Sequence, residues 1–239
     1  MTPKSEVFNI DCLEYMRGLP DKAFALAIAD PPYGIGADHD QKLRAGTQYG
    51  KSCAPCKDYG NSEWDSKAPD KEWFDELRRV SRHQIIWGAN HFISRIPIDS
   101  SCWIVWDKDN GENSYADCEL AWTSFPSAVR RIRYKWHGML QENMQQKEQR
   151  IHPTQKPVAL YAWLITHYYK ADVGGAIFDP MMGSQSSRIA AYRMGIDFVG
   201  CELDKEYFDK GCERFNRECL GEYTTKNGPT IKQTSLFDL

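Results

Sequence analysis

The sequence predicts an α/β protein built on a mostly parallel sheet with helices packed on its faces. Three observations carry that expectation. Short apolar runs, such as 25–29, 84–88 and 102–106, are bounded by turn residues and separated by amphipathic stretches, the pattern of strands buried on both faces. The stretch 174–202 reads as strand, glycine turn, helix and strand, and it ends in an acid. The chain has 239 residues, 41% apolar and 26% charged, enough for one such domain and ordinary for a globular fold.

Composition narrows the class further. A net charge of −3 means that any nucleic-acid contact must come from a local basic patch. Neither a leader pattern nor an apolar run of about 20 residues is present, so a soluble, cytoplasmic protein with no membrane partner is expected. The eight cysteines are irregularly spaced and read as reduced thiols. Cys53 and Cys56 form the one C-x-x-C, and no second pair completes a zinc set, so no metal is expected.

Taken in order, Val7–Ile10 reads as a strand, and Asp11 with Glu14 three residues on resembles a capping box that starts a helix. Ala25–Ala29 is the next strand, stopped by Asp30, Pro31, Pro32 and Tyr33. Each proline lacks an N–H and fixes its own φ, and Pro31 drives Asp30 into an extended conformation. Asp30 and Tyr33 therefore sit on a stiff loop at the carboxyl end of a strand, where open α/β sheets hold ligands. A structural turn would leave Asp30 merely solvated. A chemical role is available as well. The exocyclic amine of a nucleobase is a poor nucleophile, because its lone pair is delocalised into the ring. A carboxylate and the carbonyl of Pro31 can each accept one of its N–H bonds and favour a pyramidal nitrogen, while the Tyr33 ring offers a stacking surface.

Residues 34–68 are polar, glycine-rich and without periodicity, which suggests a mobile lid or DNA-contacting arm. Pro69–Arg82 carries Trp73, Phe74, Leu77 and Val80 at helical spacing. A strand over 84–88 follows, with a helix expected to begin at 89–93. Strands are then expected over 102–107 and 118–123, and another within 128–134. Trp106, at a strand end, is a candidate wall of a base pocket. Arg130, Arg131, Arg133 and Lys135 interleave with Tyr134 and Trp136, the pattern of a DNA-facing patch or of a solvated cationic face. Residues 138–150 read as an exposed loop, and about 126–151 as a target-recognition region.

Thr154 is a candidate N-cap for the helix over 158–169, and Lys156 adds charge to a helix start suited to a carboxylate. The strand ending at Asp179 leads through Gly183 and Ser184 into a helix over 186–194. The strand over 197–201 then ends in Glu202, placed for ribose hydroxyls. Nicotinamide enzymes share this unit, but the single-glycine loop argues against a pyrophosphate. A helix over 205–219 precedes a polar tail, 221–239, expected to be poorly ordered.

Asp30-Pro31-Pro32-Tyr33 resembles the catalytic motif of the amino-group DNA methyltransferases, which methylate adenine N6 or cytosine N4 from S-adenosylmethionine. The catalytic motif precedes the cofactor loop, an order similar to that of the β class. The resemblance covers nearly all of 1–220. It implies a circularly permuted Rossmann-like methyltransferase fold with a seven-stranded, mostly parallel sheet. It implies Asp11 and Cys12 beside the cofactor adenine, and Thr154 and Lys156 at its methionine end. Asp179, Gly183, Ser184 and Glu202 complete the cofactor set. Double-stranded DNA is the implied substrate, reached by base flipping, in a bacterial or phage-encoded enzyme. Asp at position 30 favours adenine, since the cytosine enzymes more often carry Ser; a DNA-binding relic and a protein-glutamine enzyme are the other readings. Members of the class are often dimers, so a homodimer is a further expectation. The chain end, with Gln233, Leu236 and Phe237, resembles peptides that dock on the bacterial sliding clamp. One departure stands out: Met181 and Gln185 replace the second Phe and second Gly of the family's Phe-Asp-Pro-Phe-x-Gly-Ser-Gly loop. A side chain at 185, where a backbone usually approaches the ligand, is expected to weaken cofactor binding.

Overall fold

The computed structural model describes residues 2–36, 65–96, 98–111, 116–137, 140–171, 174–224 and 230–232. The expected lid, beyond its ends, the Cys53/Cys56 pair and the clamp-like end with Gln233, Leu236 and Phe237 lie outside the described residues. No helix among the described residues is long and apolar enough to cross a membrane.

At the centre lies β2 (Phe24–Ala29), whose six residues are all buried. Leu26 and Ile28 pack into one hydrophobic cluster, with residues of helices α3 (Val158–Tyr168) and α4 (Ser186–Arg193). Ala27 and Ala29 join a second cluster with residues of α1 (Cys12–Arg17) and α2 (Lys71–Val80). That alternation is the period of two a strand imposes, and it explains why a strand with helices on both sides reads as an unbroken apolar run.

The remaining strands are β1 (Ser5–Phe8), β3 (Ser81–Trp87), β4 (Trp103–Asp107), β5 (Cys118–Thr123), β6 (Arg130–Arg133), β9 (Ile177–Asp179) and β10 (Phe198–Cys201). Their order in the sheet is β1-β10-β9-β2-β3-β5-β4-β6. The run from β1 to β3 is parallel throughout. β5 runs antiparallel to both its neighbours, and β6 returns parallel to β4. The mostly parallel sheet is therefore as expected, but eight strands rather than seven occur in it among the described residues. The eighth is β6, held on the β4 edge by the ladder that sets Ile132 opposite Trp106. Ile132 is its one buried side chain. A two-stranded ribbon pairs β7 (Trp136–His137) with β8 (Leu140–Gln141), and β8 lies in the segment expected to be a loop.

Two further expectations are corrected. Residues 89–95 form two 3-10 turns, Ala89–His91 and Ile93–Arg95, instead of starting an α-helix. Gly88 enters in the left-handed region (φ 66°), and the N–H groups of His91 and Phe92 bond three residues back. The tail is not wholly irregular: β11 (Glu222–Thr224) pairs antiparallel with β12 (Thr230–Lys232). It follows α5 (Lys205–Phe215) and a π-helical turn, Asn216–Leu220, which Gly221 closes at φ 66°.

Because β1, β10, β9, β2 and β3 run the same way, their carboxyl ends share one edge. Asp11, Glu202, Pro180, Asp30 and Gly88 follow these strands in turn. Five loops from distant parts of the chain are thereby gathered at one place.

Candidate active site

Along that edge opens a cavity of about 530 Å³. Asp11, Cys12, Asp30, Pro31, Pro32, Tyr33, Thr154, Lys156, Gly183, Ser184 and Glu202 all line it. Two sequence motifs more than 120 residues apart thus face one space, since Lys156 and Tyr33 are 123 positions apart in the chain. Asp179 is not on the wall. It is buried behind the loop, where its carboxylate accepts from Met181 N (3.1 Å) and Ser187 Oγ (2.5 Å). Burial pushes its carboxyl up to about 7. Asp179 therefore shapes the loop rather than contacting its contents.

Both oxygens of Asp30 are engaged by the protein. Oδ1 accepts from the Tyr33 hydroxyl at 3.0 Å, and Oδ2 pairs with Lys156 Nζ at 2.5 Å. Lys156 also pairs with Glu119 Oε2 at 3.1 Å and donates to the Tyr33 hydroxyl at 3.3 Å. The other oxygen of Glu119 holds Lys108 at 2.5 Å. The lysine side chain is only 3% exposed, against 18% for Asp30 and 22% for Glu119. Burial raises the Asp30 carboxyl, Lys156 pulls it back, and Glu119 adds to the rise, leaving it above the ordinary range. Burial opposes ionisation of Glu119 too, but Lys156 and Lys108 outweigh it and draw that carboxyl down to about 2. Burial works against the Lys156 ammonium, and the two acids more than offset it.

The expectation that Lys156 serves a free anion at a helix start thus meets a lysine already committed to two carboxylates. Thr154 is likewise not the cap of α3. Pro157 stands at that position without a side-chain bond, and the first helical N–H, that of Val158, is taken by Glu148 Oε1 at 2.9 Å. Thr154 instead turns its hydroxyl to His152 Nδ1 (3.1 Å). Burial holds the His152 imidazole down at about 3, with Lys156 and Lys210 adding to the effect.

Tyr33 is positioned by close contacts. A Cβ at Gly88 would lie 2.1 Å from the Tyr33 ring, so only glycine admits the ring there. His91 stacks on Tyr33 with centroids 4.9 Å apart. Asp65, outside the motifs, accepts from Gly34 N (2.8 Å) and Ile35 N (3.3 Å), clasping the chain that leaves the loop. On the opposite wall, Glu202 accepts from Gly183 N (2.8 Å) and Asp204 N (2.9 Å), which fastens the glycine turn to β10. Asp11 caps α1 by accepting from Leu13 N and Glu14 N, as its sequence context predicts. Cys12 receives the Trp73 indole N–H at 3.2 Å, and burial lifts its thiol to about 12, so it is an inert wall.

Gln185 does not obstruct the cavity. Its backbone adopts the left-handed conformation (φ 59°) that the family's glycine would supply. Its side chain turns away, accepting from Arg188 Nη1 (2.8 Å) and donating to the Phe208 carbonyl (3.2 Å). The room for it comes from Gly211, where a Cβ would lie 2.6 Å from the amide.

Arg214, fully buried, ties the turn at Ser184 to Glu148. It donates to the Ser184 carbonyl (3.0 Å) and to Ser186 Oγ (2.9 Å), and pairs with Glu148 and Glu218 at 2.8 Å each. Of the basic patch, Arg130, Arg131 and Arg133 are exposed and Lys135 is half-buried. Arg133 and Lys135 both pair with Asp109, which neutralises part of the patch. Trp106, expected near the pocket, is core: its indole N–H donates to the Tyr134 carbonyl (3.0 Å), and the ring meets Trp87 edge-on. Sequence reasoning missed Glu119, although a lone acid in an otherwise apolar strand was a visible signal. It also missed Asp65, which no pattern marks.

The cavity chemistry discriminates between ligands. Asp11, Glu202 and Asp204 stand on one wall, and a pyrophosphate would meet three carboxylates there. A cationic ligand with hydroxyls and an apolar base fits instead, against Ile10, Cys12, Pro180 and Met181.

Comparison with known proteins agrees with that geometry. Residues 103–213 match the N6/N4 family model described as DNA methylase. The type II methyltransferase M.HpaI of Haemophilus parainfluenzae is 24% identical, over 88% of this chain and 74% of its own. Among solved structures, the M1.HpyAVI–SAM complex superposes with a TM-score of 0.55 at 22% identity, covering 88% of this chain and 98% of that one. The PvuII DNA methyltransferase, described as cytosine-N4-specific, gives 0.55 at 14% identity, covering 95% and 89%. The chain shares the fold of these two solved structures.

Proposed function

We propose, with the support of the family-model match and the type II methyltransferase relatives, that this chain is a site-specific DNA methyltransferase. It moves a methyl group from S-adenosylmethionine to the N6 amine of adenine. The observation that carries this reading is one cavity shared by the Asp30 carboxylate and the Gly183–Glu202 wall.

Its volume falls in the range of small-molecule sites. Glu202 and Asp11 would face the ribose and base, the apolar residues would cover the adenine, and Asp30 would stand nearest the positive charge. When bound, the cofactor supplies a sulfonium-activated methyl group and leaves as a thioether that keeps the C–S bonding pair. The protein's part is positioning and electrostatics. A flipped base, extruded at a cost of a few kcal/mol, would present its amine to Asp30 and the Pro31 carbonyl. Accepting both N–H bonds directs the nitrogen lone pair away from the ring. The nitrogen, cationic once alkylated, loses one proton to Asp30 or to water. Tyr33, whose hydroxyl bonds Asp30 and whose ring stacks with His91, sets the carboxylate's orientation. Exposed Arg130 and Arg131 support a backbone contact with DNA.

The test is incubation with bacterial duplex DNA and labelled S-adenosylmethionine, followed by digestion to nucleosides. N6-methyladenine is expected. N4-methylcytosine would keep the mechanism and overturn the base assignment, and cofactor binding without transfer would favour a relic.

A further inference from the structure

Asp30 has to meet two demands that pull in opposite directions. It must stay ionised in a site that burial makes hostile to charge, and it must remain basic enough to accept a proton late in the reaction. A lysine at 2.5 Å answers the first demand and works against the second. Here the same ammonium is shared with a second carboxylate at 3.1 Å.

We propose that Lys156 and Glu119 are positioning residues for Asp30: Lys156 orients and ionises it, and Glu119 balances the lysine's charge so that Asp30 keeps its basicity. The inference rests on the methyltransferase reading above for its consequence, but not for the electrostatics themselves. The geometry supports the division of labour. Glu119 receives two lysines, Lys156 and Lys108, whereas Asp30 receives one together with a neutral hydroxyl. The two acids also come from different places. Asp30 follows β2, while Glu119 sits within β5, which runs against both its neighbours. That reversal brings a polar side chain up to the site from an element carrying no motif. The directions of the carboxyl shifts agree, with Asp30 held above its ordinary range and Glu119 drawn to about 2.

The other titratable groups around this triad are accounted for. From the Asp30 loop comes Tyr33; from the end of β4, Lys108; from α3, Tyr161; from the segment before α3, His152; and from behind the cofactor loop, Asp179. Burial holds both tyrosine hydroxyls well above their ordinary range and His152 at about 3. Neither tyrosine nor His152 therefore changes charge in the neutral range. Asp179, at about 7, touches its own loop but feels the Asp30 charge, so the titration of Asp30 itself separates the two.

The experiment is a pair of variants with opposite signatures. Removing the positive charge in Lys156→Gln leaves Asp30 without its cation, beside a Glu119 that keeps Lys108. The acid limb of the kcat/KM–pH profile should move up by roughly one to three units. Removing the negative charge in Glu119→Gln gives Lys156 wholly to Asp30. The acid limb should then move down by about one unit, with kcat at the plateau falling about tenfold, as a weaker base predicts. A merely structural role would lower activity without moving the limbs in opposite directions. The same two shifts should appear in the ¹³C carboxyl titration of Asp30, which needs no turnover and is read on variants whose circular dichroism matches the parent. Limbs or titrations that stay put, or move the same way, overturn the proposal. An inactive parent whose Asp30 titration still moves in opposite directions would keep the triad and overturn the assigned reaction instead.

Discussion

Single residues are where the proposed chemistry and its electrostatics can be measured. Asp30→Ala should abolish methyl transfer while leaving cofactor binding, measured by calorimetry, largely intact and weakened only by the loss of one carboxylate near the sulfonium. His152 offers a test by pH. Its imidazole is held at about 3 in the folded protein, whereas an unfolded histidine titrates near 6.5, roughly. Its contribution to stability is complete above about 6.5 and is lost as the pH falls toward 3. Asp179 has the opposite sign. Its carboxyl stands at about 7 when folded and near 3.9, roughly, when unfolded, so acidification from 7 toward 4 stabilises the protein. The two oppose one another in the same window. His152→Gln should therefore become more stable between pH 7 and 5, by thermal melting, where the parent changes little. A variant that loses stability there would show that Asp179 does not titrate as described.

Elements repeat the lesson that local rules read well and tertiary ones do not. Asp11 caps α1 as its neighbours predict, because the acceptor and the two N–H groups lie within three residues. Thr154 has the same credentials and no such role, because Glu148, ten positions before Val158, reaches the helix first. Asp11→Ala should cost about 1 kcal/mol, and Thr154→Ala should leave the denaturant midpoint almost unchanged. Gln185 shows the converse. The sequence marks it as an intrusion, yet its side chain has been moved out of the cavity by a glycine on another helix, which no local pattern links to it. Arg214 is similarly silent in the sequence, since a buried arginine looks like any other in an amphipathic helix. Arg214→Met would leave Glu148 without its buried partner and should cost roughly 3–5 kcal/mol, visible as a lowered denaturant midpoint.

At the scale of the whole molecule, the parallel sheet, its central strand and the edge where the site opens were legible, because apolar run length and prolines encode them directly. The antiparallel insertion of β5 was not. Nothing in Cys118–Thr123 states which neighbour it will choose, and with that choice went the recognition of Glu119. The pairing of β1 with β10 has a consequence of a different kind. Ser5 lies opposite Phe198, and Lys4 N bonds Asp197 across 193 positions of chain. During synthesis the first strand leaves the ribosome long before its partner exists, and at about 5–20 residues per second that interval lasts on the order of ten seconds or more. Loop closure over such a span makes this contact slow to form. Refolding from denaturant should accordingly show cofactor-binding competence, followed by fluorescence of a bound analogue, appearing in a late phase after most helical signal has returned. In the growing chain, the loop that carries Asp30 is made early and then waits for the wall that will face it.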